Sequence, residues 1–141
     1  MTNTNIITRD YNGNVFHFRE DGYFNMTKAT KAFGKQLINF WSNVSTTEYI
    51  LELAAAVDTH WNPNVFSNRL ERVQAARSLL TNSFQGRAGG TWGHPKLAVF
   101  FARWLDIKFA VFCDMVIDDI LNKKAELTIT KPEESAVMAS L

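Results

Sequence analysis

Three histidines, a group of aspartates, one cysteine and a glycine-rich turn are the residues of this chain best equipped for chemistry. His17, His60 and His94 have no partner at i+4 and no H-E-x-x-H spacing, so no helical metal-ligand pair can form. His94 instead stands before Pro95, where it suits a helix cap. Asp114 and Asp118 are one helical turn apart, with Asp119 beside them, on a helix whose other face is apolar. That pattern describes a solvated face rather than a carboxylate pair for acid–base work. Cys113 falls inside the apolar stripe of the same helix, with no basic neighbour to stabilise a thiolate. Gly86-x-x-Gly89-Gly90 is not a phosphate-binding P-loop, because no Gly-Lys-Ser/Thr follows. The turn from Gln85 to Trp92 has another use. With Arg87 at its tip between a β-prone run and a helix, it could approach a duplex closely as a wing, or simply be a tight hairpin whose glycines supply positive φ.

Charge distribution bears on that choice. The net charge of +1 hides five basic residues against six acidic ones up to His60, and four against seven after Trp104. Between Trp61 and Trp104, six basic residues (Arg69, Arg72, Arg77, Arg87, Lys96 and Arg103) face Glu71 alone. A basic middle can meet phosphates while the ends stay solvated. With 46% apolar residues, eleven Phe and four Trp, the chain is too hydrophobic for disorder and suits one packed domain. One cysteine allows no intrachain disulfide, no run is long enough to span a bilayer, and the start lacks signal-peptide features. A reduced, intracellular protein is expected.

The elements that must position these residues can be read locally. Ile6–Thr8 and Val15–Phe18 are β-prone and flank Asn12-Gly13, a strong hairpin signal. Asn25 is placed to cap a helix from Met26 to Phe33 with Met26, Ala29, Ala32 and Phe33 inward, and Gly34 suits its stop. Lys28, Lys31 and Lys35 form a basic stripe on another face. Ser45-Thr46-Thr47-Glu48 fits a capping box before a helix with Tyr49, Ile50, Leu53 and Val57 buried. From Asp58 to Arg69 the pattern weakens, with Asn62-Pro63-Asn64 reading as a loop; Leu70–Leu80 has helical spacing in part, Ser78–Phe84 could equally be a strand, and that boundary stays open. Leu97, Phe100, Phe101 and Trp104 mark one helix after Pro95. Asp106 then caps a second, with Phe109, Phe112, Cys113, Val116, Ile117, Ile120 and Leu121 inward. The expected domain is 1–122, with 123–141 a tail or linker.

Taken in order, Asp21–Lys35, Phe40-Trp41, Ser45–Leu53, Gly89–Ala98, Ala102–Leu105 and Phe109-Ala110 closely resemble the KilA-N domain, over roughly Ile6 to Leu121. That domain occurs in phages and large DNA viruses and is related to the DNA-binding domain of fungal APSES transcription factors. The resemblance implies an α+β fold, a small antiparallel sheet with hairpins packed against several helices, and a winged-helix-like DNA-binding core. It implies no catalysis and no cofactor. It places Ser45–Leu53 in the recognition-helix position, although Glu48 and Glu52 there repel phosphates, and Gln85–Thr91 in the wing.

The residues expected to contact double-stranded DNA are Lys28, Lys31, Lys35, Arg87 and Lys96, with Gln36, Asn39, Thr46, Thr47 and Gln85 as polar partners. Arg and Gln can read base edges, while Lys mainly holds the backbone. Tyr23, Phe24, Trp41, Trp92, Leu97 and Trp104 are expected in the core. Two other roles compete with viral gene regulation or replication through DNA. One is a protein-interaction module, such as an antirepressor engaging a repressor. The other is a nuclease, which would need carboxylates converging near the basic face.

Overall fold

Asn12 and Gly13 hold φ of 52° and 84°, as a two-residue hairpin turn demands. They join β1 (Ile6–Tyr11) to β2 (Asn14–Arg19) in a register running from Ile6↔Arg19 to Tyr11↔Asn14. The structure is a computed structural model describing residues 5–86 and 89–140, with side chains described as far as residue 123. β3 (Phe24–Asn25) pairs with β2, and β5 (Gly90–Gly93) lies between β3 and β4 (Thr81–Phe84). The result is one antiparallel five-stranded sheet of order β1-β2-β3-β5-β4. With the helices below, this is the expected α+β fold.

α1 (Met26–Ala32) begins where expected, its Lys28 amide donating to the Asn25 side chain at 3.0 Å, and Gly34 follows it at φ 66°. Met26 and Ala29 are buried, but Ala32 is exposed and Thr30 is buried in its stead. Ala32 stands one residue before Phe33 and so off the buried arc. After α2 (Leu37–Trp41), α3 (Val44–Val57) starts from Asn43 rather than Ser45. The expected capping box at Ser45–Glu48 therefore does not form: Ser45 is already inside the first turn. A comparable arrangement occurs instead at α4 (Arg69–Leu80). The Glu71 amide donates to Asn68 Oδ1 at 2.9 Å, and Glu71 Oε1 accepts from the Ser67 amide at 3.0 Å. In α3, Thr46, Ile50 and Ala54 are buried, whereas Val57, at the helix end, is exposed.

A single 3₁₀ turn at Pro63–Val65 interrupts the loop between α3 and α4. α4 then runs straight into β4, which settles the open boundary at Leu80/Thr81. Pro95 opens α5 (Pro95–Leu105) behind His94, whose Nδ1 accepts from the Lys96 amide at 3.0 Å. Asp106 accepts from the Phe109 amide at 2.9 Å and opens α6 (Ile107–Ser140). The backbone of that helix continues through the segment expected as a tail.

The core lies where β1–β3, α1, α5 and α6 meet. Phe109 is its hub, its ring centroid 4.5–6.1 Å from those of Tyr11, Phe16, Phe24, Phe33 and Phe112. Phe40 carries the packing across to Phe101 and Trp104. Each such ring removes apolar area worth roughly 1.5–3 kcal/mol from water, and this fixes the platform from which the polar residues project. Of the expected core set, Phe24, Trp92 and Leu97 are buried, while Tyr23, Trp41 and Trp104 keep one edge exposed.

Candidate nucleic-acid interface

The hairpin formed by β4 and β5 projects from the sheet edge in the register Thr81↔Gly93 to Phe84↔Gly90. Its connection spans residues 85–89. Gly86 sits at φ 109° and its carbonyl accepts from the Gly89 amide at 3.0 Å. A Cβ at Gly89 would lie 2.8 Å from the carbonyl oxygens of Phe84 and Gly86, so the turn needs a glycine there. Gln85 is exposed on it, whereas Arg87 lies outside the described residues.

What aims this hairpin is a clamp from α1. Asn25 is 1% exposed, and its side chain does two jobs. Its Oδ1 caps α1, and its Nδ2 donates to the Gly89 carbonyl at 3.2 Å. Thr27 Oγ1 accepts from the Thr91 amide at 2.9 Å, while a Cβ on Gly90 would come within 3.0 Å of the Thr27 Cβ. The Asn25-x-Thr27 and Gly89-Gly90-Thr91 segments, more than sixty residues apart, are thus two halves of one joint. Lys28, on the first turn of α1, stands beside it and is part-buried.

The remaining expected contacts scatter. Lys31 is exposed at the end of α1. Lys35 is engaged within the fold: its Nζ donates to the Trp104 carbonyl at 2.8 Å and lies 4.7 Å from the centre of that indole ring. A cation at the last turn of α5 satisfies a free carbonyl and opposes the helix dipole. Gln36 and Asn39 are exposed around α2, the Asn39 carbonyl accepting from Ser42 Oγ and Asn43 Nδ2. Thr46 is 1% exposed and faces the interior, so the structure removes it from the contact surface. Its neighbour Thr47 is part-exposed. Lys96 is exposed on the first turn of α5, and its carbonyl accepts from the Tyr49 hydroxyl at 3.3 Å.

The sequence shows helical spacing in part over Leu70–Leu80 but leaves the end of α4 open. It is α4, not α3, that leads directly into the hairpin, and it carries Arg69, Arg72 and Arg77 against Glu71. Arg72 Nε ties down the preceding loop through the Pro63 carbonyl at 3.3 Å. The Arg77 guanidinium lies 4.4 Å over the Trp41 ring, and partial burial there holds its pKa below the usual arginine value. An open groove of about 470 Å³ separates α4 from the α2–α3 corner, with Trp41, Ser42, Thr47, Arg69, Gln74 and Arg77 among its lining residues. The six-to-one excess of basic residues between Trp61 and Trp104 pointed to this stretch, but the weak apolar periodicity of RLERVQAARSLL left its helix–strand boundary open.

The other chemically capable groups are occupied structurally. Arg19 pairs with Asp21, donates to Asn82 Oδ1 at 3.0 Å and lies over Tyr23, tying β2 to β4. Burial, and then nearby Lys28, lowers the pKa of His17; burial, and then Lys96, lowers that of His94. Burial pushes the Cys113 thiol far above its ordinary value, with Asp114 adding to the effect. Among the described residues, no three His, Cys, Asp or Glu side chains gather to hold a metal, and no helix is long and apolar enough to cross a membrane.

Comparison with curated proteins and with solved structures gives no match. The KilA-N domain matches over residues 7–123, which takes in β1 but for Ile6, β2 to β5, α1 to α5 and the packed part of α6. The clamp joins the Asp21–Thr27 and Gly89–Pro95 segments of the resemblance, and the match covers most of the chain: this protein belongs to the KilA-N domain family.

Proposed function

We propose that residues 1–122 form a duplex-DNA-binding unit that presents α4 and the β4–β5 hairpin together, acting in viral gene regulation or replication. The family is one of DNA-binding domains, and the observation that carries the reading for this chain is the order α3–α4–β4–β5. In that order a helix rich in arginine leads without a break into a glycine-tipped hairpin braced by α1. That order supports a winged-helix reading, in which the helix before the wing enters a groove and the wing follows the backbone. α4 has the basic balance that α3, with Glu48 and Glu52, lacks. Lys28 and Gln85 belong to the wing side of this surface and Thr47 to the α4 side, and Arg87 remains a proposed DNA contact on the strength of its sequence position. Lys35 serves the fold. No catalytic role is proposed. The one carboxylate of the basic window, on Glu71, is spent on capping α4.

Fluorescence anisotropy with labelled duplexes across a salt series tests this. Four to six phosphate contacts predict a log–log slope with salt of about −4 to −5. No binding to any duplex at low salt would overturn the reading.

A second reading, a protein-interaction role such as antirepression, draws on one observation. Ile107, Val111 and Met115 follow i, i+4, i+8 spacing on α6 and are 65%, 59% and 69% exposed. Substituting all three by Ser would abolish partner binding on this reading and leave DNA affinity unchanged on the first.

A further inference from the structure

The groove between α4 and the α2–α3 corner has an unusual balance of donors and acceptors. Among its lining residues, Arg69, Arg77 and Gln74 make no side-chain hydrogen bond to any described residue, and no carboxylate lines it. Trp41 lines it too, and its Nε1–H is buried without an acceptor among the described residues. The hydroxyl protons of Ser42 and Thr47 are already donated to the Asn39 and Asn43 carbonyls. Asn43 spends its side-chain amide on the Asn39 carbonyl and provides no side-chain cap to α3, so the first amides of that helix lack one as well. Two guanidinium groups and an amide therefore line one concavity with no carboxylate among its lining residues, beside the buried indole N–H of Trp41. Leaving a buried donor such as the Trp41 N–H unmet costs roughly 1–3 kcal/mol, and Arg69 and Arg77, two turns apart on α4, give the groove a positive potential.

From this we infer that the groove is a seat for a phosphate group, and that its occupant is a phosphodiester of the DNA backbone. The assignment of the source rests on the DNA-binding reading above; the seat itself does not. Phosphate oxygens suit these donors: guanidinium forks match them two at a time, and a phosphodiester brings a negative charge with no proton of its own. The Trp41 ring holds Arg77 by its face, so its planar fork is oriented before the ligand arrives and less side-chain entropy is lost on binding. Arg69, at the first residue of α4, closes the same groove from the end.

The test follows the Trp41 indole N–H by ¹⁵N-edited NMR, assigned among the four indoles with Trp41→Phe, which keeps a ring under Arg77. Inorganic phosphate and a 16-base-pair duplex are titrated separately into the whole chain. The expected result is that the duplex shifts the Trp41 indole signal, that millimolar inorganic phosphate does not, and that Arg77→Gln abolishes the shift. Arg69→Gln and Arg77→Gln should each reduce the salt slope by about 1 and weaken all duplexes alike. Thermal unfolding of each variant checks that the fold is intact, and Arg77→Lys, which retains charge without the fork, should recover part of the binding. A shift with inorganic phosphate as large as with the duplex supports the seat and overturns the backbone as its source. A duplex that binds and moves other signals but not Trp41 overturns the seat and leaves DNA binding standing. A Trp41 shift with phosphate, when no duplex binds at all, overturns DNA binding and leaves the seat.

Discussion

Replacing Asn25 by Ala removes both halves of the clamp at once. The lost N-cap of α1 costs about 1 kcal/mol. The lost hydrogen bond to the Gly89 carbonyl, at a residue 1% exposed, costs about 1 kcal/mol more. For a domain of this size, the resulting 2 kcal/mol or so lowers Tm by about 6–10 °C. Asn25→Ser separates the two contributions. Serine is a good cap but too short to reach Gly89, so about half the stability should return. Thr27→Val is the complementary change: it leaves the cap and deletes the acceptor for the Thr91 amide. Thermal and urea denaturation measure the stability, and amide hydrogen exchange at Thr91 reports the hairpin directly. Exchange there should rise in Asn25→Ser and Thr27→Val without a matching rise within α5. A loss under 0.5 kcal/mol for Asn25→Ala, or unchanged Thr91 exchange in both other variants, would refute the idea that α1 braces the hairpin.

Gly90→Ala is expected to destabilise by about 1–3 kcal/mol, because it places a Cβ at φ 118° and 3.0 Å from the Thr27 Cβ; chemical denaturation measures it. Lys35→Met should lower stability by about 0.5–1 kcal/mol through loss of the Trp104 contacts, while the DNA salt slope stays unchanged. A slope reduced by about 1 would instead return Lys35 to the contact surface. Because burial depresses the His94 and His17 pKa values, folding favours their neutral forms. That contribution is full above the unfolded histidine pKa of about 6.5 and is lost as pH falls below it. Denaturation midpoints should therefore drop between pH 7.5 and 5.5, and drop less in His94→Asn, whose side chain can still cap α5. Cys113 should resist thiol reagents at pH 8 in the folded protein and react at the rate of unfolding; rapid stoichiometric labelling would contradict its burial.

Sequence by itself determined whatever is set within three or four residues. Asn12-Gly13 specified the first hairpin, Asn25 the start of α1, His94-Pro95 the start of α5, and Asp106 with the Phe109–Leu121 stripe the last packed helix. Each depends on a local dihedral or a cap one turn away, and the neighbouring residues supply all the chemistry. Local reading went wrong where two starts competed, as at Asn43 and Ser45, because both present a capping side chain and only packing of Thr46 and Ile50 selects the register. It also left α4 open, since half-buried positions without a clean apolar stripe carry little periodicity.

Tertiary structure alone decided which polar residues remain free. Lys28, Lys31 and Lys35 form an even stripe in sequence, yet α5 claims Lys35 through a carbonyl sixty-nine residues away. Thr46 and Thr47 are adjacent and chemically alike, but helix rotation buries one and turns the other towards the groove. Arg77 gains its fixed orientation from Trp41, on a different helix. The glycine turn at 85–90 announced a hairpin by itself. That it projects beside α4, braced by Asn25 and Thr27, follows from contacts between distant segments, which no local preference encodes.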